Sequence, residues 1–338
     1  MHTPLRLFQG TTIGMVCLAL CACSSGSDGT APPALPASSH SIDNTTRTAA
    51  ATTTADNNSA CVAIKPFYWE IGDRTQLLGS ASLTVGGNPT AYTADSLMNI
   101  ASASKWLYGA YVAERRSGAL TTEDIQFLTF TSGYTNFTSC ARTDTVGSCD
   151  SSGTNGLQSP ANIGLFYYDG GHMQKHATLT TGMDLGAMNN AALAAEMTAR
   201  LGNDITLSYS QPQLAGGVVT TAKDYAVFLR KLLNNQLQMA SFLNSHPVCT
   251  NPATCATAVY SPITAMSWQY SIGHWIEDDP TSGDGSFSSA GAFGFYPWVD
   301  ASKSYYGIVA RHDLGGAALE SIRCGVLIRK AWMTGVAQ

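Results

Sequence analysis

Ser102-Ala103-Ser104-Lys105 places a hydroxyl and an amine three residues apart. On a helix this spacing puts both side chains on one face, with Cβ atoms about 5–6 Å apart. A neutral lysine there can take the serine proton, and burial or nearby positive charge lowers a lysine pKa enough to make it neutral. A serine in the first turn of a helix gains further, because the helix N-terminus favours developing negative charge. The motif alone says little. With seven lysines in the chain, about 0.7 chance matches are expected, and a surface serine beside a solvated lysine is the plain alternative. Its surroundings say more: Met98-Asn99-Ile100-Ala101 and Trp106-Leu107 are apolar or nearly so, which predicts a desolvated Lys105.

The elements that must position this pair can be read from the pattern. Residues 66–72 and 77–85 read as two strands joined by a polar turn at Asp73-Arg74-Thr75. A helix is predicted from about Ile100 to Ser117, stopped by Gly118, with Ala103, Leu107, Ala110 and Tyr111 on its buried face. Residues 119–215 are irregular apart from a helix at Ala191–Leu201 closed by Gly202. A stronger helix runs from Ala222 to Asn234, with Tyr225, Phe228, Leu229, Leu232 and Leu233 as its apolar stripe and Thr221 and Asp224 as a capping-box-like start. Residues 268–277, 289–299 and 305–311 read as strands, and a last helix as 317–332. Strands at both ends and helices in the middle make an α+β layout, a sheet built from both termini with a mostly helical insertion.

Composition narrows the function classes. The chain has 338 residues, 44% hydrophobic and 12% charged, with a net charge of -5. That is globular rather than disordered, and without a long basic run it argues against a nucleic-acid partner. Residues 1–22 read as an export signal: Arg6 is followed by an apolar stretch, Thr11 to Ala22, too short to span a bilayer. Leu20-Cys21-Ala22-Cys23 resembles a bacterial lipobox, so Cys23 is expected to carry a lipid. Ser24, where retention rules call for Asp, leans towards an outer-membrane lipoprotein, and an ordinary signal peptide cut nearby is the alternative. Residues 23–60 hold no aromatic residue and only Leu35 and Ile42 as large aliphatics, which predicts a flexible tether before a folded domain at 61–338.

Six cysteines lie beyond the leader: Cys61, Cys140, Cys149, Cys249, Cys255 and Cys324. An even number in an exported chain suggests disulfides. Cys140 with Cys149 and Cys249 with Cys255 are the simplest local pairings, leaving Cys61 and Cys324 at the two ends of the domain. Zinc is the weaker reading, since no Cys-x-x-Cys or Cys/His pairing has the required spacing.

Three further segments accompany the Ser-x-x-Lys. Gly216-Gly217-Val218-Val219-Thr220-Thr221-Ala222-Lys223-Asp224-Tyr225-Ala226-Val227-Phe228-Leu229 is similar to the Gly-Gly helix segment of class C-like enzymes. Phe166-Tyr167-Tyr168-Asp169-Gly170 is similar to the F-x-Y-x-N element, and Ser289-Ala290-Gly291-Ala292 stands where a K-T-G or H-T-G strand is expected. Over about residues 66–335 the chain thus resembles the penicillin-recognising serine hydrolases: β-lactamases, D,D-peptidases and related esterases and amidases. The resemblance implies a β-lactamase-like fold with an antiparallel sheet flanked by helices, Ser102 as acylated nucleophile, Lys105 as its general base and Tyr168 as proton carrier to the leaving group. It also implies an oxyanion hole from the N–H groups of Ser102 and Ala292, with Ser289 and Gly291 alongside. A fold that brings both ends onto one sheet implies a Cys61–Cys324 disulfide.

The departures bear on substrate. Gly170 stands where Asn is expected, and Ser289 replaces the cation that meets a substrate carboxylate in β-lactam-binding relatives. Arg311, in the adjacent strand, is the residue best placed to restore such a charge. Tyr167 is the alternative to Tyr168, and no class A-type glutamate motif is found. His172, four residues after Tyr168, is expected to line the site, whereas a metal on His172 and His176 lacks the zincin glutamate. His274 reads as a core or edge histidine. The expectation is an exported serine hydrolase acting on small esters or amides, with no metal or organic cofactor, and a membrane as partner through the N-terminal lipid. A β-lactamase or D,D-peptidase, and a non-catalytic envelope binding protein of the same fold, are the competing readings.

Overall fold

The computed structural model describes residues 42–86 and 91–338. Cys23, the export signal and the tether as far as residue 41 lie outside the described residues. Helix α1 (Asn44–Asn57) corrects the remainder of the tether. Asp43 caps it by accepting from the Thr46 N–H at 2.9 Å. Ala50, Ala51, Thr54 and Ala55 are buried, so the helix docks through small side chains that let backbones approach closely. The Arg47 guanidinium donates to the Trp332 carbonyl at 2.7 Å, and the Asn58 amide to Gln338 at 3.1 Å. A lack of large aliphatics therefore did not mean a lack of packing, because alanine combines strong helix propensity with close contact.

The main sheet comprises β1 (Phe67–Gly72), β2 (Leu77–Leu83), β3 (Val248–Cys249), β4 (Gln269–Tyr270), β5 (Trp275–Glu277), β6 (Ser286–Ser288), β7 (Tyr296–Val299) and β8 (Tyr306–Ala310). Its order is β2-β1-β8-β7-β6-β5-β4-β3, antiparallel throughout. The first strand therefore lies beside the last, in the α+β arrangement expected. Two predicted strands are shorter than their apolar runs. Residues 268–277 are split by a turn in which the Ser271 N–H bonds the His274 carbonyl, and 289–295 form a turn closed by Gly291 N–H to Phe295 O at 2.8 Å.

The other long helices are α2 (Ser104–Arg115), α3 (Gly171–Thr178), α4 (Asn190–Leu201), α5 (Ala222–Leu233) and α6 (Ala318–Thr334). Alternate residues of a strand face opposite sides. On β8, Val309 meets α6 near Gly325, while the Tyr306 hydroxyl accepts from Arg230 of α5 at 2.9 Å. One core thus packs α1 and α6 on one face and α2 and α5 on the other. The Cys61–Cys324 disulfide closes within it, and two others, Cys140–Cys149 and Cys249–Cys255, tie local loops.

Candidate active site

Ser102 lies in a single 3-10 turn, Ala101–Ala103, that leads into α2. Ala101 has φ +45, a left-handed conformation that costs about 1 kcal/mol or more outside glycine. The surroundings impose it. Met98–Asn99 pairs with Val218–Thr220, the Ile100 N–H bonds the Val218 carbonyl at 3.1 Å, and the Asn99 side chain accepts from the Ala101 N–H at 2.8 Å. The Gly-Gly segment thereby becomes the scaffold of the turn. The Val218 N–H donates to Ser104 Oγ at 3.2 Å, and the Tyr225 hydroxyl donates to the Ala103 carbonyl at 2.9 Å. Thr221 caps α5 through the Asp224 N–H at 3.0 Å.

Lys105 Nζ is 2.9 Å from Ser102 Oγ and 2.8 Å from the Ala215 carbonyl. The side chain is buried, and burial brings its amine down to about 7, opposed by the Asp169 carboxylate. The ammonium position lies 4.8 Å from the centre of the Tyr168 ring. Burial pushes the Tyr168 phenol well above its ordinary value, and the nearby Ser102 hydroxyl offsets this in part. Tyr168 therefore holds its proton at neutral pH while Lys105 is poised to lose one. Tyr167 faces elsewhere: its ring centre is 5.3 Å from that of Tyr260. Asp169 accepts from the Gly171 N–H at 2.7 Å and the Phe137 N–H at 3.3 Å, joining the start of α3 to a neighbouring loop.

Two residues expected to meet substrate do other work. Ser289 is 3% exposed and donates to the Ser102 carbonyl at 3.2 Å, bracing the turn from behind. His172 is fully buried, with Nδ1 2.7 Å from Ser132 Oγ and Nε2 2.9 Å from the Tyr167 carbonyl. Burial takes its imidazole down to about 3, so it is a neutral strut beneath the Tyr167–Tyr168 backbone. Arg311 is spent as well, on the Ile64 carbonyl at 2.9 Å and Asp313 at 2.8 Å. His176 bonds Asp124 and Tyr108, each at 2.9 Å, and both ring nitrogens of His274 meet backbone carbonyls. Among the described residues no group of three His, Cys, Asp or Glu is arranged to hold a metal.

Gly291 and Ala292 follow Ser289-Ala290 just beyond the end of β6. Ala292 is exposed, and neither its N–H nor that of Ser102 has a partner among the described residues. Two free N–H groups beside one hydroxyl can hold the oxygen of a carbonyl under attack. Gly291 has to be glycine, because a Cβ there would lie 2.1 Å from the Ile100 carbonyl oxygen. Gly291→Ala is expected to push the 291–295 turn off the Ser102 turn and lower kcat/KM by about 10²-fold. Steady-state kinetics on the folded variant check this. Sequence reading had no signal for Ala215 O as lysine acceptor or for the left-handed Ala101, although Ala215 directly precedes the Gly-Gly motif.

No protein-family model and no curated protein matches the sequence. Solved structures do. A β-lactamase from Mycobacterium bovis is 14% identical over 80% of this chain and 95% of its own, with a TM-score of 0.54. A penicillin-binding protein from Bacillus halodurans is 13% identical over 77% and 95%, with a TM-score of 0.52. A D-stereospecific amidohydrolase from Streptomyces sp. is 12% identical over 88% and 100%, also at 0.52. The chain has the fold shared by β-lactamases, penicillin-binding proteins and these amidohydrolases, as its motifs implied.

Proposed function

We propose that this protein is a serine hydrolase working by acyl transfer through Ser102, on small neutral esters or amides. The observation that carries the reading is the 2.9 Å contact between Ser102 and an amine whose pKa burial lowers to about 7. Neutral Lys105 takes the Ser102 proton as Oγ attacks the substrate carbonyl. The Ser102 and Ala292 N–H groups hold the oxyanion. Tyr168 gives its proton to the departing alcohol or amine and recovers one from Lys105. Water then enters by the reverse route and releases the acid. The hydrolase and penicillin-binding neighbours support this class of chemistry at low identity.

The preference for neutral substrates rests on the placement of two side chains. Ser289 is buried behind the nucleophile, and Arg311 is engaged by Ile64 and Asp313, so neither offers a charge to a substrate carboxylate. The test is kcat/KM for a butyrate ester against nitrocefin, and a clear preference for nitrocefin overturns the ester reading in favour of a β-lactamase. Absence of Ser102 labelling by a fluorophosphonate would instead favour a non-catalytic binding protein. Export and lipidation at Cys23 belong to the same proposal, supported by three disulfides that suit an oxidising compartment. Metabolic labelling with palmitate, lost in Cys23→Ala, tests them.

The pH dependence has a definite sign. Lys105 acts without its proton, so kcat/KM is expected to rise with pH through about 7 and level off above. The charged group facing Lys105 is Asp169, from the start of α3; His172, from α3 itself, is neutral. Asp169→Asn removes the charge that keeps a proton on Lys105, so the acid limb should move to lower pH. A limb near pH 4–5, the ordinary carboxylate range, that Asp169→Asn leaves in place would assign the base to another residue.

A further inference from the structure

The short strand that leads into Tyr168 is held from outside the main sheet. Phe166–Tyr167 pairs in parallel with Ala258–Tyr260. The Phe166 N–H donates to the Thr257 carbonyl at 2.8 Å, and the Tyr168 N–H to the Tyr260 carbonyl at 3.0 Å. Residues 257–260 are in turn tied covalently to the main sheet. Cys249 belongs to β3, opposite Gln269 of β4, and its disulfide partner Cys255 lies two residues before Thr257. The Thr257 hydroxyl is 3.3 Å from Cys249 Sγ and 3.1 Å from Cys255 Sγ. Thr257 therefore touches the disulfide with its side chain and the Tyr168 strand with its carbonyl. Exposure sets this disulfide apart. Cys249 is exposed and Cys255 half-buried, whereas Cys61, Cys149 and Cys324 are fully buried and Cys140 nearly so. Exchange requires a thiolate to reach a sulfur, so access decides which bond opens first.

We propose that Cys249–Cys255 is a reversible redox modification site whose state governs the placement of Tyr168. The co-reactant is a dithiol reductant. One of its thiolates attacks Cys249 Sγ, the protein S–S bond breaks, and Cys255 leaves as a thiolate that takes up a proton. The second thiol of the reductant, giving up its proton, attacks its own sulfur in the mixed disulfide and releases Cys249, which is protonated in turn. The reductant ends as a disulfide, two electrons and two protons poorer, and the protein gains both. Once the tie is open, residues 257–260 are no longer fixed to β3, and the Tyr168 phenol is held less closely on the leaving group. This effect on Tyr168 rests on the acyl-transfer reading; the order in which the disulfides open does not.

The experiment treats the full chain with graded dithiothreitol, blocks free thiols with iodoacetamide, and maps the blocked cysteines by mass. After removal of reagents, kcat/KM is measured on ethyl butyrate and p-nitrophenyl butyrate. Nitrophenoxide departs without a proton near neutral pH, whereas ethoxide needs one, so only the ethyl ester reads the proton carrier. Cys249 and Cys255 are expected to be blocked before the other four cysteines. That form should lose about tenfold in kcat/KM on the ethyl ester and stay within about twofold on the nitrophenyl ester. Cys249→Ser/Cys255→Ser should show the same split without reductant, and if it fails to fold the treated wild type carries the comparison. Another disulfide opening first, an unchanged ethyl ester rate, or equal losses on the two esters overturns the proposal, while fluorophosphonate labelling of Ser102 upholds the nucleophile. An untreated wild type that is not labelled at Ser102 overturns the acyl-transfer reading and the link to Tyr168 together.

Discussion

Ser102→Ala is expected to lower ester hydrolysis by roughly 10³-fold or more while leaving the fold intact. The substitution removes the atom that attacks and nothing that packs. Ser102 is half-buried, Lys105 keeps its Ala215 contact, and the turn remains held by Asn99, Val218 and Tyr225. Loss of one hydroxyl in that setting costs about 0.5 kcal/mol or less of stability. Lys105→Ala should be nearly as damaging to activity, because the remaining Tyr168 phenol is held protonated by burial and is a poor base at neutral pH. The measurement is single-turnover and steady-state rate on variants whose unfolding midpoints match the wild type. Retention of activity within tenfold by Ser102→Ala would remove the mechanism.

The largest effect on stability is expected from Cys61 and Cys324. Their disulfide is buried, with both residues at 0% exposure, and spans 263 residues of sequence. In the chain-entropy model a loop of that size is worth about 5 kcal/mol, against roughly 3 for the nine-residue separation of Cys140 and Cys149. Set beside a typical total of about 5–15 kcal/mol, the loss would leave the domain marginal. Cys61→Ala/Cys324→Ala should lower Tm by roughly 10 °C or more, and by more than Cys140→Ala/Cys149→Ala does. Equal or reversed effects in urea unfolding without reductant would show that the long covalent link is not what constrains the unfolded chain.

How much of this was legible beforehand differs by kind of interaction. The α5 stripe and its Thr221 cap were readable because amphipathic period and capping are local. Ser102 and Lys105 were readable for the same reason, three residues apart on one turn. That strands from both ends share one sheet followed from the order of elements along the chain. What could not be read was contact between segments distant in sequence. Ser289 looked like a substrate group because its neighbours matched a motif, yet it reaches the Ser102 carbonyl from 187 residues away. His172 sat close to Tyr168 in the chain but turns inward onto Ser132. Helix α1 was hidden by composition: alanine and threonine read as linker until a partner helix of matching closeness is known.

That helix also decides where the protein can safely be cut. Residue 61 looks like the natural start for a shortened recombinant form, but α1 overlies β2, the outermost strand of the sheet. The Thr48 hydroxyl is placed to donate to the Leu78 carbonyl at 3.4 Å, and Gly79 lies beneath Thr48 and Trp332. Trimming to Cys61 would uncover an unpaired strand border together with the apolar flank of the last helix. Exposed borders of this kind recruit strands from other molecules. Poor solubility of such a fragment would be a property of the cut, and material beginning near Ile42 is the form in which to store and crystallise the protein.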